Sequence, residues 1–252
     1  MKEKTKEEIR KLVLDFAREL SVKRRDFTIG ELKKAFPFHT LFFTDEAIIA
    51  FKLQRSIVTK LGMKIYPEIA KIVAKDKYRK VFIDHPIERE IPEEKANVIE
   101  RIITNLRQGE VKPNFEQENA EIRNATGGNL VRRKIIADVF IEDHEDGPLF
   151  MEIKSPRPNL DVCAESKKKM LYFRAFFENK NPQAFIGFPY NPFVHRNKYK
   201  HDFVFRIFDF NKEVLLGEEM WNKLGGEGTF SELLDLLEEL KEEVKKILRG
   251  ES

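Results

Sequence analysis

Apolar residues recur at helical spacing through the first half of the chain and at strand spacing through part of the second. Ile9, Leu12, Val13, Phe16 and Leu20 form one stripe of 3.6-residue period, and Thr5 with Glu8 reads as a capping box opening that helix. A second helix is predicted from Thr44 to about Leu61, carrying Ile48, Ile49, Phe51, Leu53 and Ile57, with Gly62 as its break. Pro67 suits the first turn of a third helix ending at Lys75. Pro92 suits the start of a fourth, reaching about Arg107 through Val98, Ile99, Ile102, Ile103 and Leu106. After Gly127-Gly128 the period changes. Val131 to Ile141 reads as a strand, Glu142 to Gly147 as a polar turn whose Asp-Gly favours a hairpin, and Pro148 to Ser155 as the return strand. Leu160 to Asn179 is predicted helical. Ala184 to Pro189 and Phe203 to Phe210 are predicted as short strands, with Phe203, Phe205, Phe208, Phe210 and Trp221 in the core. Thr229 with Glu232 makes a second capping box, opening a helix with Leu233, Leu236, Leu237, Leu240, Val244, Ile247 and Leu248. The expected fold class is α/β, a mixed sheet flanked by helices with a helical N-terminal part. With no repeat or linker, residues 1–252 read as a single domain: a helical part to about 110, an α/β core over about 111–216 and a helical cover over 217–252.

Composition narrows the classes. At 252 residues and 41% hydrophobic content the chain is long and apolar enough to bury a full core, and too apolar for disorder. No run approaches a membrane span, and the N-terminus is not a signal peptide. One cysteine, Cys163, forms no internal disulfide and points to the reducing cytosol; it reads as a small apolar helix residue. Charged residues are 35% of the chain, with few glutamines, which leans toward a thermophilic source. A net charge of +3 is weak evidence for a nucleic-acid partner, so the placement of charge matters more. No Walker motif, zinc-finger spacing or nucleophile elbow is present.

Charge interrupts both strands of the predicted hairpin. Asp138 stands in Ile135-Ile136-Ala137-Asp138-Val139-Phe140-Ile141, and Glu152 and Lys154 stand in Leu149-Phe150-Met151-Glu152-Ile153-Lys154. Buried strands exclude unpaired carboxylates, so these residues need a reason. Strand side chains alternate, which puts Glu152 and Lys154 on one face, and pairing of the strands brings Asp138 toward Glu152. Two close carboxylates repel, and a divalent cation relieves them; oxygen ligands suit Mg²⁺. Lys154 beside them can orient a water or stabilise charge developing on a phosphate.

These residues form a D-(x)n-E-x-K pattern that resembles the PD-(D/E)XK nuclease superfamily, with Ala137 where the superfamily name has Pro. Glu243-Val244-Lys245 repeats the spacing in the last helix as a decoy. Further blocks resemble the TdeIII-type type II restriction endonuclease family. Glu152 to Asn159 is similar to its E-I-K-x-x-x-P-N block. Lys60-Leu61-Gly62 with Glu68 to Val73 is similar to its L-G and E-I-A-K-I-I elements, and Tyr190-Asn191-Pro192-Phe193 to its Y-N-P element. Trp221 to Leu234 resembles its W-x-x-L-G-G-x-x-T-[YF]-x-E-L-L signature. The resemblance implies a prokaryotic, cytoplasmic restriction-endonuclease-like enzyme that cuts double-stranded DNA with Mg²⁺ at a GGNCC-like palindrome, leaving 5′-phosphate ends. It implies Asp138, Glu152 and the backbone carbonyl of Ile153 as metal ligands, with Glu68 as a further acidic residue, and Lys154 as the catalytic lysine. A homodimer and a cognate DNA methyltransferase as genetic partner follow from the same resemblance. The rival expectations are a structure-specific repair or junction-resolving nuclease on this core, and an inactive DNA-binding protein.

Several basic or polar residues are candidates for DNA contact: Arg132 and Arg133 before the first catalytic strand, Lys168 on the helix after the hairpin, and Asn191, Arg196 and Lys198 in a basic loop. Each also has a plain reading as a solvated surface residue. Lys167, Lys168 and Lys169 fan out around a helix, so they cannot all face one groove. His144, among Glu142, Asp143, Glu145 and Asp146, reads as part of a solvated turn rather than a metal cluster.

Overall fold

A computed structural model describes residues 1–25 and 28–250. In chain order the elements are α1 (Glu3–Arg25), α2 (Ile29–Ala35), α3 (Asp45–Lys60), α4 (Tyr66–Ala74), β1 (Val81–Pro92), α5 (Glu93–Gln108), α6 (Phe115–Asn124), β2 (Leu130–Ile141), β3 (Leu149–Ile153), α7 (Leu160–Phe176), β4 (Gln183–Phe188), α8 (Asp202–Ile207), α9 (Phe210–Glu213), β5 (Val214–Leu216), α10 (Glu218–Gly225) and α11 (Thr229–Arg249). They fall into two compact units, Met1–Ile72 with Ser231–Ser252, and Val73–Phe230. No helix among the described residues is long and apolar enough to cross a membrane.

The first unit is helical. Of the predicted stripe of α1, Ile9 and Leu20 are buried and Leu12, Val13 and Phe16 are half-buried; Leu14 and Ala17 are buried instead, so the inward face is turned from the expected one. The helix starts at Glu3, two residues before Thr5, so Thr5 is buried inside its first turn and not at the position ahead of it. A capping box exists instead at Thr28, which accepts from the Glu31 amide while the Thr28 amide donates to Glu31 at 2.9 Å; it opens α2, which the apolar pattern passes over. Thr44 caps α3 as its position predicts. Gly62 does not break the helix: Leu61–Ile65 forms a single π-helical turn and the chain continues into α4. The predicted box at Glu232 is also absent. Both Glu232 oxygens accept from the Met1 ammonium at 2.8 Å, and α11 begins at Thr229.

The second unit carries a five-stranded mixed sheet in the order β1-β2-β3-β4-β5. β1, β2 and β3 are antiparallel, and β3, β4 and β5 are parallel. The α/β reading holds, with one strand added: β1 interrupts the helical first half. It escapes notice because only Val81, Ile87 and Ile91 are buried among polar residues and two prolines. The hairpin of β2 and β3 forms in the predicted place, with Val139 opposite Met151 and Ile141 opposite Leu149. Gly147 closes it at φ +115°, where a side chain would strike the Asn181 carbonyl. The segment Phe203–Phe210 is not a strand. Val204 and Ile207 are buried at helical spacing in α8, Phe208 is buried just past its end, and the edge strand is β5, a few residues later. Phe203 packs against the core, and Phe205 is largely exposed. Trp221 is buried, its indole N–H donating to the Pro189 carbonyl.

The middle strand β3 is buried along its whole length. Its pleat sends Phe150, Glu152 and Lys154 to one face, where Phe150 meets Phe173 of α7 at 5.2 Å. Phe140 of β2 reaches Phe173 on the same side at 5.9 Å, so Asp138, two residues earlier, also faces α7. On the other side, Gly187 of β4 lies so close to Met151 and Met220 that a side chain there would meet their sulfurs at 2.8–2.9 Å.

Candidate active site

The charged residues stand where the two central strands β2 and β3 stop pairing. Two registered pairs past Ile141 and Leu149, the strands part opposite Asp138 and Glu152. The gap is closed by side chains. The Ile153 amide donates to Asp138 Oδ2 at 2.8 Å, and Lys154 Nζ donates to the same oxygen at 2.6 Å. Lys154 Nζ also lies 3.0 Å from Glu152 Oε2. One ammonium therefore joins carboxylates from two strands. The Lys154 amide donates to the Gly187 carbonyl at 3.0 Å, which fixes the backbone at the end of β3.

Helix α7 completes the group. Pro156 and Pro158 stiffen the link from β3, and the Asn159 side chain accepts from the Val162 amide at 2.8 Å, setting the helix start. Ser166, Lys169 and Phe173 then share one stripe of α7. Phe173 packs on Phe150, and the earlier turns reach Glu152. Lys169 Nζ lies 3.1 and 3.2 Å from the two Glu152 oxygens, and Ser166 Oγ lies 3.5 Å from Oε2. Burial raises the Glu152 pKa, and repulsion from Asp138 adds to this, while Lys154 and Lys169 oppose it. Burial works against the Lys154 charge, but attraction to Glu152 and Asp138 wins and holds its pKa above the ordinary value. Two carboxylates and two ammonium groups thus balance in a group that stays partly open to solvent, with Asp138, Lys154 and Lys169 side chains 19%, 26% and 21% exposed.

Across the sheet, Ile83 pairs with Val139 and His85 with Ala137, so Asp84 stands opposite Asp138. Asp84 takes φ +47°, a conformation that Asp tolerates better than most residues, and it drops out of the ladder there.

The remaining candidates separate. Glu68 lies in the first unit and pairs with Lys71 at 3.4 Å. Arg132 is taken by Glu88 at 2.7 Å and Lys168 by Glu100 at 2.7 Å. Arg133 donates to the Arg132 carbonyl. Asn191 accepts from the Phe193 amide within its own turn. Arg196 is engaged inside the fold: it pairs with Glu219, donates to the carbonyls of Phe210 and Val214, and stacks on Phe210. Lys198 is exposed. Cys163 is buried, which pushes its thiol up to about 12, so it is no nucleophile at neutral pH. The His144 turn is less solvated than its composition suggests. His144 is buried against Tyr78, and its ligand atom lies within 4.8 Å of those of Glu145 and Asp146. Those carboxylates are already bound to Lys77, Tyr78 and Lys223. Lys169 and Ser166 are the residues that the motif alone does not supply. Their signal is positional, one helical turn apart on the helix after the E-x-K strand.

The family whose sequence model matches is described as type II restriction endonuclease, HinfI, and the match covers residues 1–241. The type II restriction enzyme MjaII of Methanocaldococcus jannaschii is 35% identical over 196 residues, 71% of this chain and 51% of that protein. The chain thus spans about half the length of that relative. The type II restriction enzymes HgiCII and HgiBI of Herpetosiphon aurantiacus are each 26% identical over 217 residues, 84% of this chain and 78% of theirs. No solved structure matches. A match along nearly the whole chain, over a mixed sheet that carries the D…E-x-K group on its inner strands, makes this chain a member of the HinfI family of type II restriction endonucleases.

Proposed function

We infer that the chain is a Mg²⁺-dependent endonuclease that cuts both strands of DNA at a short interrupted palindrome of the GGNCC kind, leaving 5′-phosphate and 3′-hydroxyl ends. The observation that carries this reading is the single Lys154 ammonium held between Asp138 and Glu152 at 2.6 and 3.0 Å, where β2 and β3 part.

The donor set fits a small divalent cation. Two carboxylate oxygens from different strands already converge on one positive nitrogen, and carboxylate and carbonyl oxygens are the ligands Mg²⁺ prefers. Asp138, Glu152 and the Ile153 carbonyl would hold it. When bound, such an ion supplies Lewis-acid stabilisation of the phosphate and a water of lowered pKa. The protein's own part is positional and electrostatic. Asp138 is fixed by the Ile153 amide, and Glu152 is fixed by burial and by α7. Lys154 is partly exposed on the same face, placed to orient the attacking water and to neutralise charge gained by the phosphate. Cutting both strands of a palindrome calls for two centres related by a two-fold axis, so the working assembly is a homodimer. A cognate DNA methyltransferase would protect the host's own sites.

The test is cleavage of a plasmid of known sequence with Mg²⁺ or with EDTA. Discrete Mg²⁺-dependent fragments whose ends share one sequence support the reading. Cutting of branched DNA with no discrete plasmid fragments would replace it with a structure-specific nuclease, and binding without cutting would make it an inactive DNA-binding protein.

A further inference from the structure

Three consecutive lysines on α7 have three different fates. Lys167 is fully buried among Glu118, Glu213 and the core, and Lys168 pairs with Glu100 at the surface. Lys169 alone enters the candidate centre, where it contacts both Glu152 oxygens. The Asp138–Lys154–Glu152 arrangement does not call for it. Lys154 already bridges the two acids, yet a second ammonium lies over the most buried of them.

Charge arithmetic suggests its purpose. Asp138 and Glu152 together carry −2, and Lys154 and Lys169 carry +2. The closed group is neutral, which is why Glu152 is tolerated at 1% side-chain exposure. A divalent cation entering between the carboxylates must take oxygens that the lysines now hold. The displaced ammonium groups then need a new anion, and a DNA phosphodiester provides one. With the cation present and both lysines retained, the centre carries +2, which matches the dianionic phosphorane formed when a water that has given up a proton adds to a phosphodiester. Without Lys169 it carries +1.

We propose that Lys169 is a second lysine of this centre, a positioning residue that holds Glu152 until a divalent cation takes its oxygens and then turns to a non-bridging oxygen of the DNA backbone. This rests on the reading of Asp138 and Glu152 as the cation's ligands. Lys169 has the access this role needs: its side chain is 21% exposed while its ammonium contacts Glu152. The consequence is that Lys169 competes with the cation when DNA is absent and assists the reaction when DNA is present. A lysine that only braced the fold would do neither.

The test uses the full chain and two readouts. Calcium binding without DNA is measured by calorimetry, and plasmid cleavage is measured at saturating Mg²⁺, for the wild type, Lys169→Gln, Lys169→Arg and Glu152→Gln. Lys169→Gln is expected to bind Ca²⁺ about three- to ten-fold more tightly, because a competing charge is gone. The same variant is expected to cleave about 10- to 100-fold more slowly. Lys169→Arg keeps the charge, so it should keep the wild-type Ca²⁺ affinity and recover much of the cleavage. Unchanged or weaker Ca²⁺ binding in Lys169→Gln, or no measurable binding by either protein, overturns the proposal. So does cleavage at the wild-type rate. Glu152→Gln separates the two levels of the argument. If it binds Ca²⁺ like the wild type, the cation is not at Glu152 and the reading beneath the proposal fails. If it loses Ca²⁺ while Lys169→Gln behaves as the wild type, only the role of Lys169 fails.

Discussion

Two clusters of opposite charges share helix α7 and differ in one respect. Lys167, Glu213, Glu118 and Arg174 form the first; Asp138, Glu152, Lys154 and Lys169 form the second. Each pairs two acids with two bases at ordinary ion-pair distances. In the first, Lys167 and Glu213 are wholly buried, and Glu118 and Arg174 are nearly so. Burial works against the Glu213 charge, but Lys167 and Arg174 overcome it and hold its pKa below the ordinary value. Arg174 also stacks on Phe115, 4.4 Å from the ring. With Lys167 and Glu213 sealed at its centre, this cluster fastens α6, α7 and α9 together. In the second, only Glu152 is sealed, and the other three side chains reach solvent. Charge balance by itself says nothing about function. Access decides it: a balanced cluster that reaches solvent can exchange an internal partner for a cation or a phosphate.

The comparison is sharpest where it predicts opposite results. Removing one partner of the sealed cluster, as in Lys167→Ala, leaves buried Glu118 without its ammonium and Glu213 with Arg174 alone, and should cost about 3–5 kcal/mol of stability, read by urea denaturation. Activity then falls only through loss of folded protein. Lys154→Ala should do the reverse: cleavage drops by about 10²–10³-fold at saturating Mg²⁺, while the urea midpoint stays near that of the wild type. Glu152→Gln should abolish cleavage, yet melt at the wild-type temperature or above it, with a change of about 1 kcal/mol or less, because a buried carboxylate is replaced by a neutral group of the same shape. A differential scan of both proteins at neutral pH checks this; clear destabilisation would mean that Glu152 is structural.

The smallest effect lies outside both clusters. Lys77 and Tyr78 hold the Glu145 carboxyl down to about 2, below its unfolded value of 4.5. Its contribution is therefore present above that unfolded value and is lost as pH falls from there through about 2. Since Glu145 is half exposed, the effect is slight. Melting curves of Glu145→Gln and wild type should differ at neutral pH and converge as the pH falls toward 2.

The sequence makes the centre of this molecule more legible than its surroundings. The hairpin of β2 and β3 can be read because branched apolar runs flank an Asp-Gly turn, and charges inside such runs stand out. β1 cannot, because a strand paired on one side and open on the other alternates weakly, and Pro86 and Asp84 break its pattern. The phenylalanines at 203, 205, 208 and 210 alternate like a strand, but burial follows Val204 and Ile207 on a helix and Phe208 just past its end. The three lysines of α7 are identical in sequence; only the helix phase, fixed by the Asn159 cap, separates a core anchor from a surface pair and a site residue. The basic loop shows the opposite error. Arg196 looks free in the sequence, but the fold spends it on Glu219 and two carbonyls.

The central claim is that Asp138, Glu152 and Lys154 cut DNA. Its most direct test is plasmid cleavage by the wild type and by Asp138→Asn, both shown by their melting curves to be folded, across a range of Mg²⁺ concentrations. The account predicts discrete fragments from the wild type and none from Asp138→Asn at any Mg²⁺ concentration. Cleavage by a folded Asp138→Asn at the wild-type rate would contradict it.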